Sequence, residues 1–106
     1  ATALAQTGDA AAAEPVARRA VEADRRAGRG ESYDAAQHLD NLASVLRTNG
    51  KYAEAVPIFE EAIRLLTKHR GELEPIGAMN ELGIAQNRLG RYADAEKTLR
   101  RTEELV

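Results

Sequence analysis

The chain has no cysteine and no tryptophan, one phenylalanine, one methionine, three prolines and two histidines. Without cysteine there is no disulfide framework, thiolate metal site or cysteine nucleophile. Two histidines alone would need carboxylates to complete a zinc site, so no metal and no cofactor is expected. Charge of one sign is also missing: 15 basic residues face 17 acidic ones, for a net charge of -2. A nucleic-acid or anionic-membrane binder normally carries a basic excess, so neither partner is expected. No apolar run nears the ~18 residues that a membrane span needs. The opening Ala1-Thr2-Ala3-Leu4 lacks the basic start and apolar block of a secretory signal, and a cytoplasmic chain is expected.

Bulky apolar residues are scarce as well. Alanine supplies 21 of the 106 residues, and Leu, Ile, Val and Phe together supply another 21. Ala, Leu, Glu, Arg and Lys favour helix, whereas β-branched and aromatic residues are few. Small side chains let helices approach closely, so a thin core can still be dense. The composition predicts an all-helical fold.

Order appears as a repeat. Gly8, Gly50 and Gly90 lie 42 (50 minus 8) and 40 (90 minus 50) residues apart. Each is followed five residues on by alanine, at Ala13, Ala55 and Ala95, and Pro15 and Pro57 each stand seven residues after their glycine. Periods of 20–50 residues mean stacked supersecondary units. Helical spacing of Leu39, Leu42, Ala43 and Leu46 before Gly50, and of Tyr52, Ala55, Phe59, Ala62, Ile63 and Leu66 after it, makes each unit a helix pair. Helices are predicted near 9–27, 33–48, 51–68, 74–88 and 91–105. Gly50 and Gly90 stand where a helix must end, Ser32 is a candidate N-cap, and Pro75 suits a first turn. Pro15 and Pro57 fall about a turn inside their helices and are expected to bend them without breaking them.

The framework Leu39-x-x-Leu42-Ala43-x-x-Leu46, Gly50-x-Tyr52-x-x-Ala55-x-x-x-Phe59-x-x-Ala62 resembles the tetratricopeptide repeat. Leu82-Gly83 through Gly90-x-Tyr92-x-x-Ala95-x-x-x-Leu99 carries it again. The period exceeds the usual ~34 residues and is more similar to repeats of kinesin light chains and bacterial signalling regulators. The final unit departs at Met79, Gln86 and Thr102, which is expected to weaken its packing. The resemblance implies a right-handed superhelical stack of antiparallel helix pairs, an αα solenoid of about two and a half repeats. Residues 1–106 then form a single domain, expected to be a fragment of a longer array that starts midway through a first helix. Uncapped ends imply possible self-association.

No catalytic constellation is present. His38 and His69 lie in different helices without carboxylates at ligand spacing, and Gly28-Arg29-Gly30-Glu31 lacks the strand and Lys-Ser/Thr of a phosphate loop. The Arg-rich stretch from Arg18 to Arg29 has no interleaved aromatics. Arg18-Arg19, Glu60-Glu61 and Arg100-Arg101 recur at one repeat position, and the glutamates are expected to face both Arg pairs. The resemblance implies a protein-interaction module, not an enzyme, whose first helices line a concave binding face. Gln37, Asp40, Asn41, Ser44, Arg47, Asn80, Glu81, Asn87 and Arg88 are the candidate contacts to a protein or peptide. Asn41 is expected beside Asn80 or Glu81, and Arg47 beside Asn87 or Arg88. Asp40 and Glu81 replace the Lys and Arg with which the family clamps acidic chaperone tails. The alternative is a ligand-sensing or autoinhibitory segment of a larger ATPase or transcription regulator.

Overall fold

Three helix ends close in the same way. At Gly50 the backbone φ is 79°, the Gly50 N–H donates to Arg47 O, and the Lys51 N–H donates to Leu46 O at 2.8 Å. Gly90 repeats the pattern, with Arg91 N–H donating to Gln86 O at 2.9 Å, and so does Gly28, with Arg29 N–H donating to Asp24 O at 2.8 Å. This is the Schellman motif, in which a residue at positive φ folds the chain back over the last carbonyls. Glycine takes that φ without a Cβ clash.

The computed structural model describes residues 2–105, with side chains described from residue 11 onward. Five helices follow in order: α1 Thr2–Arg26, α2 Tyr33–Thr48, α3 Tyr52–Arg70, α4 Ile76–Arg88 and α5 Tyr92–Leu105. No strand occurs among the described residues. Ser32 caps α2: its Oγ accepts from the Ala35 N–H at 3.1 Å and donates to Arg29 O at 2.7 Å. Pro75 is the N-cap of α4, one place ahead of the first turn that its fixed φ would suit.

The first helix corrects an expectation. It starts at Thr2 and runs straight through Gly8, so these residues are not the tail of one helix followed by the start of another. A lone glycine costs about 1 kcal/mol against alanine inside a helix, and the neighbouring Ala10 to Ala13 favour its continuation. Gly50 and Gly90 do terminate helices because hydrophobic faces on both sides must turn to meet. Pro15 and Pro57 are exposed, and α1 and α3 continue past them.

Each helix packs on the next one in sequence, and α2 also meets α4. Among the described residues the backbones of α1 and α3 do not approach closely, nor do those of α3 and α5; the Arg18–Glu54 ion pair links α1 to α3. The result is a two-layer all-α stack of helix pairs with α2 and α4 in one layer. Its thinnest extent is 21 Å, about two helix diameters of ~10–12 Å. Phe59, Leu46 and Leu65 are the largest fully buried apolar side chains besides Pro75, and they join Leu39, Leu42 and Leu82 in one core. Alanines at 17, 36, 43, 55, 62, 78 and 85 fill the close approaches.

Charge ties α1 to its neighbours. Glu14 accepts from Lys51 Nζ at 2.9 Å, from Asn49 Nδ2 at 3.1 Å and from Arg18 Nε at 3.2 Å. The Lys51 and Asn49 bonds hold its carboxyl down at about 2. The expected Glu60-Glu61 charge layers are absent among the described residues. Glu61 pairs with Arg64 on its own helix, Arg18 with Glu14 and Glu54, and Arg101 with Glu72. Long side chains reach the nearest partner on or beside their own helix, which repeat position alone does not reveal.

The final unit keeps its departures inside. Gln86, only 5% exposed, accepts from Thr98 Oγ1 at 2.8 Å, and Thr102 Oγ1 donates to Thr98 O at 2.9 Å. A buried amide at this position costs little while it is hydrogen-bonded.

Candidate functional site

The first helices α2 and α4 lie against one another, so residues spaced one turn apart on each reach one surface. Gln37, Asp40, Asn41 and Ser44 line a cleft of about 290 Å³ together with Tyr33, Leu66 and Glu74. Gln37 and Asn41 are exposed, while Asp40 and Ser44 are half-buried. Spacing singled out the first four. Tyr33, Leu66 and Glu74 were missed, because they enter from a helix start, from α3 and from the α3–α4 connection.

Arg47 and Glu81 join the two helices. Arg47 Nη2 donates to Glu81 Oε1 at 3.1 Å and Nε donates to the same oxygen at 3.3 Å. Ser44 Oγ donates to Glu81 Oε2 at 2.8 Å. Both carboxylate oxygens of Glu81 are thus occupied. Arg47 meets Glu81, not Asn87 or Arg88 as expected, because a half-buried carboxylate on the facing helix is the stronger partner.

That pairing leaves Asp40 apart. Its Oδ1 is buried and meets no hydrogen-bond donor among the described residues. Burial raises its carboxyl above the usual range, and the nearby Glu81 charge raises it further. On the cleft's rim the Tyr33 hydroxyl donates to Glu74 Oε1 at 2.7 Å, which holds the phenol proton above its ordinary value. The Arg70 guanidinium stacks 4.2 Å over the Tyr33 ring.

The remaining candidates are not gathered here. Asn80, Asn87 and Arg88 are exposed on α4, and Asn87 lines a separate cleft with Tyr92, Leu99 and Glu103. His38 is half-buried and faces α1. Its Nδ1 lies 2.6 Å from Asp24 Oδ2, and Asp24 is only 4% exposed. The two stand 14 residues apart across a turn, a distance at which spacing carries no signal. Gly28 to Glu31 form the turn between α1 and α2 and no phosphate cradle. Among the described residues no group of three His, Asp or Glu could hold a metal ion, and no helix is long and apolar enough to cross a membrane.

A stack of helix pairs closed by recurring Gly turns, with adjoining first helices, defines a helical-repeat protein of the kind that offers a surface to other proteins. Two sequence models of the tetratricopeptide repeat match the chain, over residues 1–68 and 41–105, and the chain belongs to that family. No curated protein matches it. Tetratricopeptide repeats generally mediate protein–protein interaction.

Proposed function

We propose that the chain binds a peptide or protein segment along the α2–α4 face and has no catalytic activity of its own. One observation carries the reading: the cleft beside Asp40 is open and polar, and one buried oxygen of Asp40 has no donor among the described residues. A ligand that brings N–H groups into the cleft offsets the Asp40 charge from the open side without reaching the buried Oδ1. Gln37, Asn41 and Asn80 each offer a paired donor and acceptor to a ligand backbone. Arg47 is spent on Glu81, so the wall has little to offer an acidic tail. The glycine spacing of 42 and 40 residues supports kinship with the long-period repeats of kinesin light chains and bacterial regulators.

The test is peptide affinity after exposed amides are removed. Asn41→Ala combined with Asn80→Ala is expected to weaken a bound peptide at least tenfold with helicity intact. Unchanged affinity would place the binding surface elsewhere.

A further inference from the structure

The opposite layer holds a second surface. Two clefts, of about 590 and 440 Å³, merge between α1 and α3, sharing Val21, Arg25, Leu39 and Ile58. Because the backbones of α1 and α3 stand apart, with Arg18–Glu54 reaching between them, the side chains of α2 form the floor of the groove. That floor is apolar: Leu39 and Leu42 of α2 are no more than 7% exposed, and Val21 of α1, also 7% exposed, adjoins them.

Its rim has an unequal charge balance. The acids are engaged within the fold: Glu22 pairs with Arg26, Glu61 with Arg64, and Glu31 with Arg64 and Lys68. Arg18 is held by Glu14 and Glu54. Arg19 and Arg25, both exposed, have no acidic partner among the described residues. Two uncommitted guanidiniums therefore flank an apolar channel.

The repeat supplies an internal comparison. Between α3 and α5 the equivalent groove measures only about 230 Å³, and Arg101 Nη2 reaches across it to Glu72 at 3.4 Å. Counted from the repeat glycines, Glu72 and Arg101 correspond to Gly30 and Glu61 in the first groove. Gly30 has no side chain to offer, so that pair is missing; Arg18–Glu54 and Arg64–Glu31 span the first groove instead, and the opening left between them is the larger of the two.

We infer that the α1–α3 groove is a second docking site, for a peptide segment that sets bulky apolar side chains on Val21, Leu39 and Ile58 and presents Asp or Glu to Arg19 and Arg25. Arginine forks match carboxylates with two parallel bonds. The two arginines stand about 9 Å apart along α1 at 1.5 Å per residue, which an extended strand spans in about three residues. The ligand class is therefore an extended acidic–apolar segment. A basic peptide would meet Arg19 and Arg25 unfavourably and find every rim acid already paired.

A phage-displayed library of random decapeptides, selected on the 106-residue chain, tests this directly. Enriched clones are expected to include a class with Asp or Glu flanking Leu, Ile or Phe. As synthetic fluorescein conjugates they should lose affinity at least tenfold on Arg19→Glu/Arg25→Glu and weaken with salt. The same conjugates should bind Asn41→Ala/Asn80→Ala as they bind the parent chain, which separates this site from the α2–α4 face. Both arginines are exposed, and Arg19→Ala/Arg25→Ala provides a milder second variant with the same expected direction. Absence of an acidic–apolar class would overturn the proposal. So would affinity that survives both arginine variants, or that is lost only with the asparagines.

Discussion

Arg47 of α2 donates through Nη2 and Nε to one carboxylate oxygen of Glu81 on α4, at 3.1 and 3.3 Å, while Ser44 occupies the other oxygen. Successive first helices are thereby joined through polar groups about a quarter to a third exposed. The same bond decides the character of the wall. It neutralises Glu81 and leaves Asp40 Oδ1 without a donor among the described residues.

Arg47→Ala should therefore cost ~1–3 kcal/mol, the range for hydrogen bonds to a charged group left partly buried. A double-mutant cycle with Glu81→Gln, read by urea unfolding, should return a coupling of about 1 kcal/mol. Strict additivity would mean that the two side chains act independently in solution.

Gly83 faces the α5 side chain Leu99 so closely that an added Cβ would stand 2.7 Å from Cδ2 and 2.8 Å from Cγ. Gly83→Ala gains roughly 0.5–1 kcal/mol of helix propensity but forces Leu99 to move. Overpacking of this kind costs ~1–3 kcal/mol, so a net loss of about 1 kcal/mol is expected by thermal or urea unfolding. A stabilised Gly83→Ala protein would show that the α4–α5 contact is loose. The first unit carries Ala43, fully buried, at the equivalent position.

Asp40 should limit stability at neutral pH. Burial and Glu81 raise its carboxyl in the folded state, so the folded chain holds this proton more tightly than the unfolded chain. Its contribution is favourable below the unfolded value of ~3.9 and is lost as pH rises through the raised folded value. Asp40→Asn is expected to raise Tm at pH 7 and leave it nearly unchanged at pH 3. Peptide binding at the α2–α4 face should weaken in the same variant, the usual exchange of stability for function at a site. A fall in Tm at pH 7 would mean that the carboxylate is satisfied in the folded chain.

Much of the architecture was legible before any coordinates. The equal spacing of Gly50 and Gly90 after runs of leucine reports a physical requirement, since only a residue at ease with positive φ turns these helix ends. Ser32 is legible for the same local reason, one hydroxyl within reach of one free N–H. Gly8 looked identical in the repeat but lies inside a continuous helix, because a single glycine lowers helix stability without forbidding it. Of the candidate site, Gln37, Asp40, Asn41 and Ser44 share a cleft because helical spacing fixes their common face. The partners of Arg47, His38 and Glu61 were not legible. Side-chain pairing depends on angles and separations between helices, and a one-dimensional period does not encode them.

The proposed ligand lies along α2 and α4. Selecting random decapeptides on the Arg19→Glu/Arg25→Glu chain removes the α1–α3 groove as a competitor, and the tightest peptide can then be titrated into the 15N-labelled variant. The largest amide and side-chain shifts are expected on Gln37, Asp40, Asn41, Ser44 and Asn80. Shifts confined to Tyr92, Leu99 and their neighbours on α5, with α2 silent, would contradict that placement.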